Sequence, residues 1–213
     1  ALSNGYLLEP QSLIDTLHES TDAPVVEVAD AASTRGATLV PLVEDVSLEA
    51  IWLGLRISGA QQRSSGVDFR MVSADGPGNV AAYVVSTFGT PEVLFNSADG
   101  IDEKEDSVTL PANAHTHVSW GFSQPGIYHL GFQAEGTEVQ HLTVAVGVNP
   151  PADMQAIDSG HLDIEGDLTQ GRIDLRDQDR RFDPATTAIS IPSSVLQPIP
   201  PDPAYRFLGR PGA

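Results

Sequence analysis

Hydrophobic and polar positions alternate over short stretches of this chain, which is the pattern of β-strands. Residues 51–57 read as a buried strand, and residues 67–72 alternate apolar with charged side chains, as a half-exposed strand should. The 19 glycines and 16 prolines cluster between such runs and indicate turns. About eight strands are expected between residues 37 and 148, which predicts an all-β fold, an antiparallel β-sandwich of immunoglobulin-like type.

The pattern changes after the last of these strands and divides the chain into four parts. We expect residues 1–36 to be a weakly structured lead-in or partial repeat start and residues 37–148 to form the sandwich domain. Residues 149–159 are a proline-containing linker. Residues 160–213 contain strand-like runs joined by a turn, but this segment is short for a core of its own. We expect it to be the start of a second repeat or a strand-complementing segment, packed on the sandwich or on a neighbouring chain.

Two histidines, His115 and His117, stand two residues apart at the start of an apolar run. Side chains at i and i+2 of a strand share a face, so both imidazoles could bind one metal ion. His161 and Asp163 have the same spacing and could supply the remaining nitrogen and oxygen ligands. The chain has no cysteine, which excludes thiolate ligands. The metal expected here is a divalent ion, zinc foremost; in the alternative interpretation the histidines only hydrogen-bond to their neighbours and stabilise strands.

The strand that follows these histidines is expected to form a hairpin with residues 127–134, across a turn at residues 124–126. The aromatic residues of the two strands alternate as core residues of a sandwich should, although an aromatic sugar-binding platform is the alternative; they are Trp120, Phe122, Tyr128 and Phe132.

The charge of the chain is strongly negative, with 29 acidic and 11 basic side chains and a net charge of −18. Such a surface disfavours nucleic acid and attracts cations, although solubility alone is the favoured explanation of the charge. The loop Asp99–Asp106 could hold calcium, but its spacing matches no EF-hand and a solvated loop is favoured. His18, His129 and His141 lack partner ligands. No run of 18 apolar residues predicts a membrane span.

Catalytic motifs are missing from the sequence. It contains no Gly-x-Ser-x-Gly elbow, no His-Glu-x-x-His helix and no phosphate-binding P-loop. We therefore expect a protein that is not an enzyme, with a metal-dependent hydrolase as a distant alternative.

Several segments resemble the actinobacterial surface-anchored repeat domain, also called the choice-of-anchor M domain. The matching segments include a Trp-Leu-Gly strand, a Gly-Pro-Gly turn, a long His-Thr-His signature and repeat-opening motifs; they are residues 51–55, 75–78, 115–128, 160–163 and 205–212. The resemblance implies a secreted protein at the cell surface or cell wall, in tandem-repeat systems found beside metal-type ABC transporters. Cell-wall or transporter components are then the expected partners.

The order of the motifs departs from that of the family, where the Gly-His-Leu-Asp segment comes before the other motifs. Here it follows them, at Gly160–Asp163. Either an N-terminal copy is degenerate, or the chain begins partway through one repeat and ends in the next. We expect a non-enzymatic, surface-displayed module that binds a divalent metal. The alternative is a structural or adhesive repeat that self-associates head to tail by strand complementation, without metal.

Overall fold

Short β-strands dominate the computed structural model, which describes residues 37–40 and 50–210. The predicted lead-in, residues 1–36 with His18, lies outside this range. The strands are β1 (Ala37–Val40), β2 (Ile51–Ser58), β3 (Val67–Asp75), β4 (Val80–Val85), β5 (Pro91–Asn96), β6 (Ser107–Leu110), β7 (His115–His117), β8 (Ser119–Phe122), β9 (Gly126–Ala134), β10 (Gln140–Val146), β11 (Gln155–Ile157), β12 (Gly160–Asp167), β13 (Arg172–Asp177), β14 (Arg180–Phe182), β15 (Thr187–Ile191) and β16 (Leu196–Gln197). Within the described residues, three short 3-10 helices accompany them, at Ser97–Asp99, Ser193–Val195 and Pro203–Leu208.

The strands form three sheets. Their strand orders are β16-β1-β8-β4-β5, β11-β15-β10-β9-β3-β6 and β14-β13-β12-β2-β7. Most neighbours are antiparallel, which confirms the predicted all-β sandwich. Three pairs are parallel, which the sequence pattern did not indicate: β10 with β15, β11 with β15, and β12 with β2.

One continuous hydrophobic core joins the three sheets. The inward side of β2 supplies Ile51, Leu53, Leu55 and Ile57, all at most 1% exposed. The four alternating aromatic residues, from Trp120 to Phe132, are equally buried. They therefore pack the core, and the alternative of a sugar-binding platform is wrong.

The C-terminal segment packs on its own chain. Strand β12 runs parallel to β2 over eight residue pairs, and β13 returns antiparallel to β12 through a turn in which Gly171 has a φ of 66°. Residues Leu162, Ile164, Ile173 and Leu175 join the same core as the preceding strands. The division of the chain into repeats stays a prediction.

The predicted hairpin between residues 115–122 and 127–134 is wrong. Strand β7 pairs with β2, β8 lies between β1 and β4, and β9 pairs with β3 and β10 in another sheet. All four residues of β8 are buried, so this strand needs a neighbour on each side. The chain leaves one sheet for another at Val118, which is itself fully buried.

The acidic loop Asp99–Asp106 uses its carboxylates to hold its own backbone. Asp106 accepts hydrogen bonds from the backbone N–H groups of Asn96, at 2.6 Å, and Asp102, at 2.8 Å. Burial raises the pKa of Asp106 to about 6. The residues between Asp102 and Asp106 are exposed, as predicted for a solvated loop. Over the described part of the chain, no helix has the length and apolar character needed to cross a membrane.

Candidate metal centre

Three neighbouring strands, β12, β2 and β7, position the four predicted ligands on the sheet face that points away from the core. Strand β2 lies in the middle. Asp163 and His117 are both in register with Gly54, one on each side of it. His161 is in register with Trp52, and His115 with Arg56. The structure thus brings together the His-x-His pair and the His-x-Asp pair from segments far apart in sequence.

Gly54 makes this meeting physically possible. Asp163 and His117 are two strands apart, so their side chains can approach only by leaning over the middle strand. A Cβ atom at Gly54 would lie 2.4 Å from Oδ1 of Asp163 and 3.0 Å from Cε1 of His117. Any larger residue at this position would push the two ligands apart.

The separations between ligand atoms match those around a tetrahedral ion. Nε2 of His115 lies 3.0 Å from Nε2 of His161 and 3.1 Å from Oδ1 of Asp163. Nε2 of His161 and Oδ1 of Asp163 are 3.4 Å apart. Ligands bound at about 2.0–2.1 Å in a tetrahedron are about 3.3 Å from one another. With His117 included, one ligand atom from each of the four residues lies within 4.8 Å of all the others.

Several of these polar atoms are buried without a hydrogen bond. They are both ring nitrogens of His117, both carboxylate oxygens of Asp163 and Nδ1 of His161. Unsatisfied buried groups cost about 1–3 kcal/mol each. A divalent cation would supply the interaction that the buried nitrogen and oxygen atoms lack.

Two of the three histidines, His117 and His161, are kept neutral by their surroundings, as metal ligands must be. Burial lowers the pKa of His117 to about 3, against the opposing effects of the Asp163 carboxylate and the Leu53 carbonyl. The Leu53 carbonyl influences the ring but makes no hydrogen bond to either of its nitrogens. Burial also lowers the pKa of His161, opposed by Asp163 and Asp177. At neutral pH both imidazoles therefore keep a nitrogen lone pair available.

Aromatic and charged neighbours complete the surroundings. The ring of Trp52 stacks on His117 with centroids 3.6 Å apart and planes 12° apart. Nη1 of Arg56 lies 3.6 Å from Oδ2 of Asp163, whereas Oδ1 is the oxygen near His115 and His161. Oδ1 of Asp177 lies 4.0 Å from Nδ1 of His161.

A second group of buried carboxylates on the same face is already neutralised. Nη1 of Arg181 lies 2.7 Å from Asp167, 2.9 Å from Asp174 and 3.2 Å from Glu165. Arg176 also pairs with Glu165 at 2.9 Å. The guanidinium group takes the place that a cation would occupy, so the metal candidate is the histidine group.

Sequence reasoning missed the residues that shape and surround the centre. Gly54 carried a signal, because a glycine inside a buried strand indicates a close approach. The acidic residues Glu165 and Asp167 continue the two-residue spacing of His161 and Asp163, which marked a polar face beyond residue 164. Nothing in the sequence marked Asp177, because its position beside His161 depends on the tertiary fold. His129 and His141 lie on β9 and β10 of another sheet and are not among the grouped ligands, as expected for residues without partner ligands.

Comparison with known proteins finds no matching family model, curated protein or solved structure. The resemblance to the choice-of-anchor M domain therefore stays a prediction.

Proposed function

We propose that this chain is a non-enzymatic module that binds one divalent metal ion, zinc foremost, through His115, His117, His161 and Asp163. The observation that carries the proposal is the convergence of three ligand atoms at 3.0, 3.1 and 3.4 Å. The donors are nitrogen and oxygen only, which suits zinc and other borderline divalent metals.

The number of ligands favours binding over catalysis. Catalytic zinc sites keep a position open for water, whereas four protein ligands close the tetrahedron. Partial exposure of His115 and His161, at 23% and 16% of their side chains, leaves one side from which an ion could enter. Capture of a metal is thus better supported than hydrolysis.

The proposed location is extracellular, at a cell surface or cell wall. It rests on the resemblance stated above, as do cell-wall or metal-transporter components as partners. The rival function is a structural or adhesive repeat in which the histidines hold strands together. The internal pairing of β12 with β2 weakens that rival, because β12 already has a partner strand on each side in this chain.

Calorimetric titration of zinc into chelator-treated protein tests the proposal. The wild type should bind one equivalent, and a His115→Ala/His117→Ala variant should bind none. His129→Ala/His141→Ala is the matched control, because it removes two exposed histidines from another sheet. Two outcomes would count against the metal centre and favour the structural repeat. One is that the wild type binds no zinc, and the other is that both double variants lose zinc binding equally.

A further inference from the structure

The two ring nitrogens of His161 face different surroundings. Nε2 points to the other ligand atoms, 3.0 Å from Nε2 of His115 and 3.4 Å from Oδ1 of Asp163. Nδ1 is buried on the opposite side of the ring without a hydrogen bond. A carboxylate oxygen stands nearby on that side, Oδ1 of Asp177 at 4.0 Å.

A neutral imidazole has one N–H group and one lone pair, so its two nitrogens cannot both bind a cation or both donate. The lone pair of His161 must lie on Nε2 if this atom is a metal ligand. The proton then lies on Nδ1, where it needs an acceptor in a buried position. Ligating histidines in proteins commonly donate this second N–H group to a carboxylate, which fixes the tautomer and the ring orientation.

We propose that Asp177 is a positioning residue of the metal centre, which accepts the Nδ1–H proton of His161 and thereby directs the Nε2 lone pair to the ion. The inference rests on the proposed metal-binding function. It assigns to Asp177, which the sequence pattern does not connect with the centre, a defined part in metal affinity.

The position of Asp177 suits this part. It lies at the end of β13, and its other oxygen is 3.9 Å from Nη1 of Arg180. A side-chain movement of about 1 Å brings Oδ1 to hydrogen-bond distance of His161.

The charge of the centre also suits a carboxylate at this position. Three neutral imidazoles and one carboxylate leave a divalent ion with one positive charge, to which Arg56 adds a second. A further carboxylate at this point offsets that charge.

The tautomer of His161 also determines that of His115 in the metal-free centre. Their Nε2 atoms are 3.0 Å apart, a contact that needs one donor and one acceptor. With the proton of His161 on Nδ1, His115 must donate from Nε2. Binding of an ion would require the proton of His115 to shift from Nε2 to Nδ1, so that Nε2 of His115 and Nε2 of His161 both face the metal with lone pairs.

Zinc titration of three variants tests the inference. Asp177→Asn keeps an oxygen that can accept the Nδ1–H bond but loses the negative charge, so it should lower zinc affinity about 10-fold at unchanged stoichiometry. Asp177→Glu keeps the carboxylate and should bind zinc more tightly than Asp177→Asn. Asp179→Asn is the matched control, since Asp179 is an exposed acid two residues away. Its affinity should equal that of the wild type.

Nitrogen-15 NMR of the imidazole rings provides a reading that a purely structural role would not change. In zinc-loaded wild type, Nδ1 of His161 should carry the proton. An Asp177→Asn variant with wild-type affinity, an equal loss in Asp179→Asn, or a loaded His161 protonated on Nε2 would each overturn the inference. Wild-type protein that binds no zinc would instead defeat the proposed function itself.

Discussion

A single glycine at the centre of β2 determines which side chains can meet above the sheet. Its neighbours on the same face of β2 are Trp52 and Arg56, whose large side chains border the gap on either side. Asp163 and His117 lean into the space above Gly54 from opposite strands. The arrangement depends on steric exclusion as much as on the ligands themselves.

Gly54→Ala should weaken zinc binding and lower the free energy of unfolding by about 1–3 kcal/mol, the usual cost of overpacking. The added methyl group would meet Oδ1 of Asp163 at 2.4 Å, although the Thr116 carbonyl at 2.9 Å adds strain of its own. A double-mutant cycle with Asp163→Ala separates the two contributions. The cost of Gly54→Ala should fall in the Asp163→Ala background. Equal costs in both backgrounds would show that the carboxylate does not occupy the gap.

Acid should destabilise the metal-free protein partly through His117. Its pKa is about 3 when folded and 6.5 in the reference state, so between these values the unfolded chain binds more protons. The contribution of His117 to the free energy of unfolding is therefore fully present above pH 6.5 and is lost as the pH drops, by about 2 kcal/mol near pH 5. Asp106, with its pKa raised to about 6, has the opposite effect, because it increases the free energy of unfolding as the pH falls over much of this range.

Comparison of wild type with His117→Gln isolates this contribution, since Asp106 is common to both. Urea unfolding in the presence of chelator, at neutral pH and near pH 5, should show a smaller loss of stability in His117→Gln. Parallel losses would mean that His117 is accessible to protons in the folded state.

Sequence spacing predicted which ligands share a face of a strand. That the two pairs of ligands meet, and which residues surround them, depends on the fold. Two-residue spacing placed His115 with His117 and His161 with Asp163. It could not predict that β12 and β7 would flank the same strand, because pairing between distant segments depends on tertiary packing. Asp177 and Arg56 were missed for the same reason.

At the level of elements, the edge strand β14 is attached to its sheet through charge. Arg181 reaches from β14 to the buried carboxylates of Glu165, Asp167 and Asp174 on two neighbouring strands. Only three residue pairs join β14 to β13 by backbone register. The network compensates for the small size of this strand.

Arg181→Ala should therefore destabilise the protein by roughly 2–3 kcal/mol, below the cost of breaking a fully buried ion pair because Arg181 is partly exposed. The loss leaves three buried carboxylates with less positive charge. Arg180→Ala on the same strand is the control and should cost under about 1 kcal/mol, because the Arg180 side chain is 69% exposed. Thermal or urea unfolding measures both. Equal effects of the two variants would contradict the assigned role of the network.

Strand positions were predictable from alternation, whereas strand partners were not. The pattern located β2, β3 and β9 within a few residues. It assigned β8 and β9 to one hairpin, although they lie in different sheets. A turn with proline and glycine looks the same whether it closes a hairpin or carries the chain between sheets.

Across the whole molecule, the metal centre would connect segments 46 residues apart, from His115 to His161. The intervening chain includes β8, β9, β10 and β11, which belong to the other two sheets. An ion bound here would therefore hold the C-terminal hairpin to the rest of the sandwich.

Zinc should stabilise the folded chain accordingly. At a free concentration 100 times the dissociation constant, the free energy of unfolding should rise by about 2.7 kcal/mol. The His115→Ala/His117→Ala variant should show no zinc-dependent increase. Denaturant unfolding with zinc and with chelator measures the difference, and an increase of equal size in the double variant would place the stabilising ion elsewhere.

The most direct test of the metal centre is anomalous diffraction at the zinc edge from crystals of the zinc-loaded protein. We expect one strong peak about 2.0–2.2 Å from Nε2 of His115, Nε2 of His161, an oxygen of Asp163 and a ring nitrogen of His117. No peak at this position, or a peak held by other residues, would contradict it.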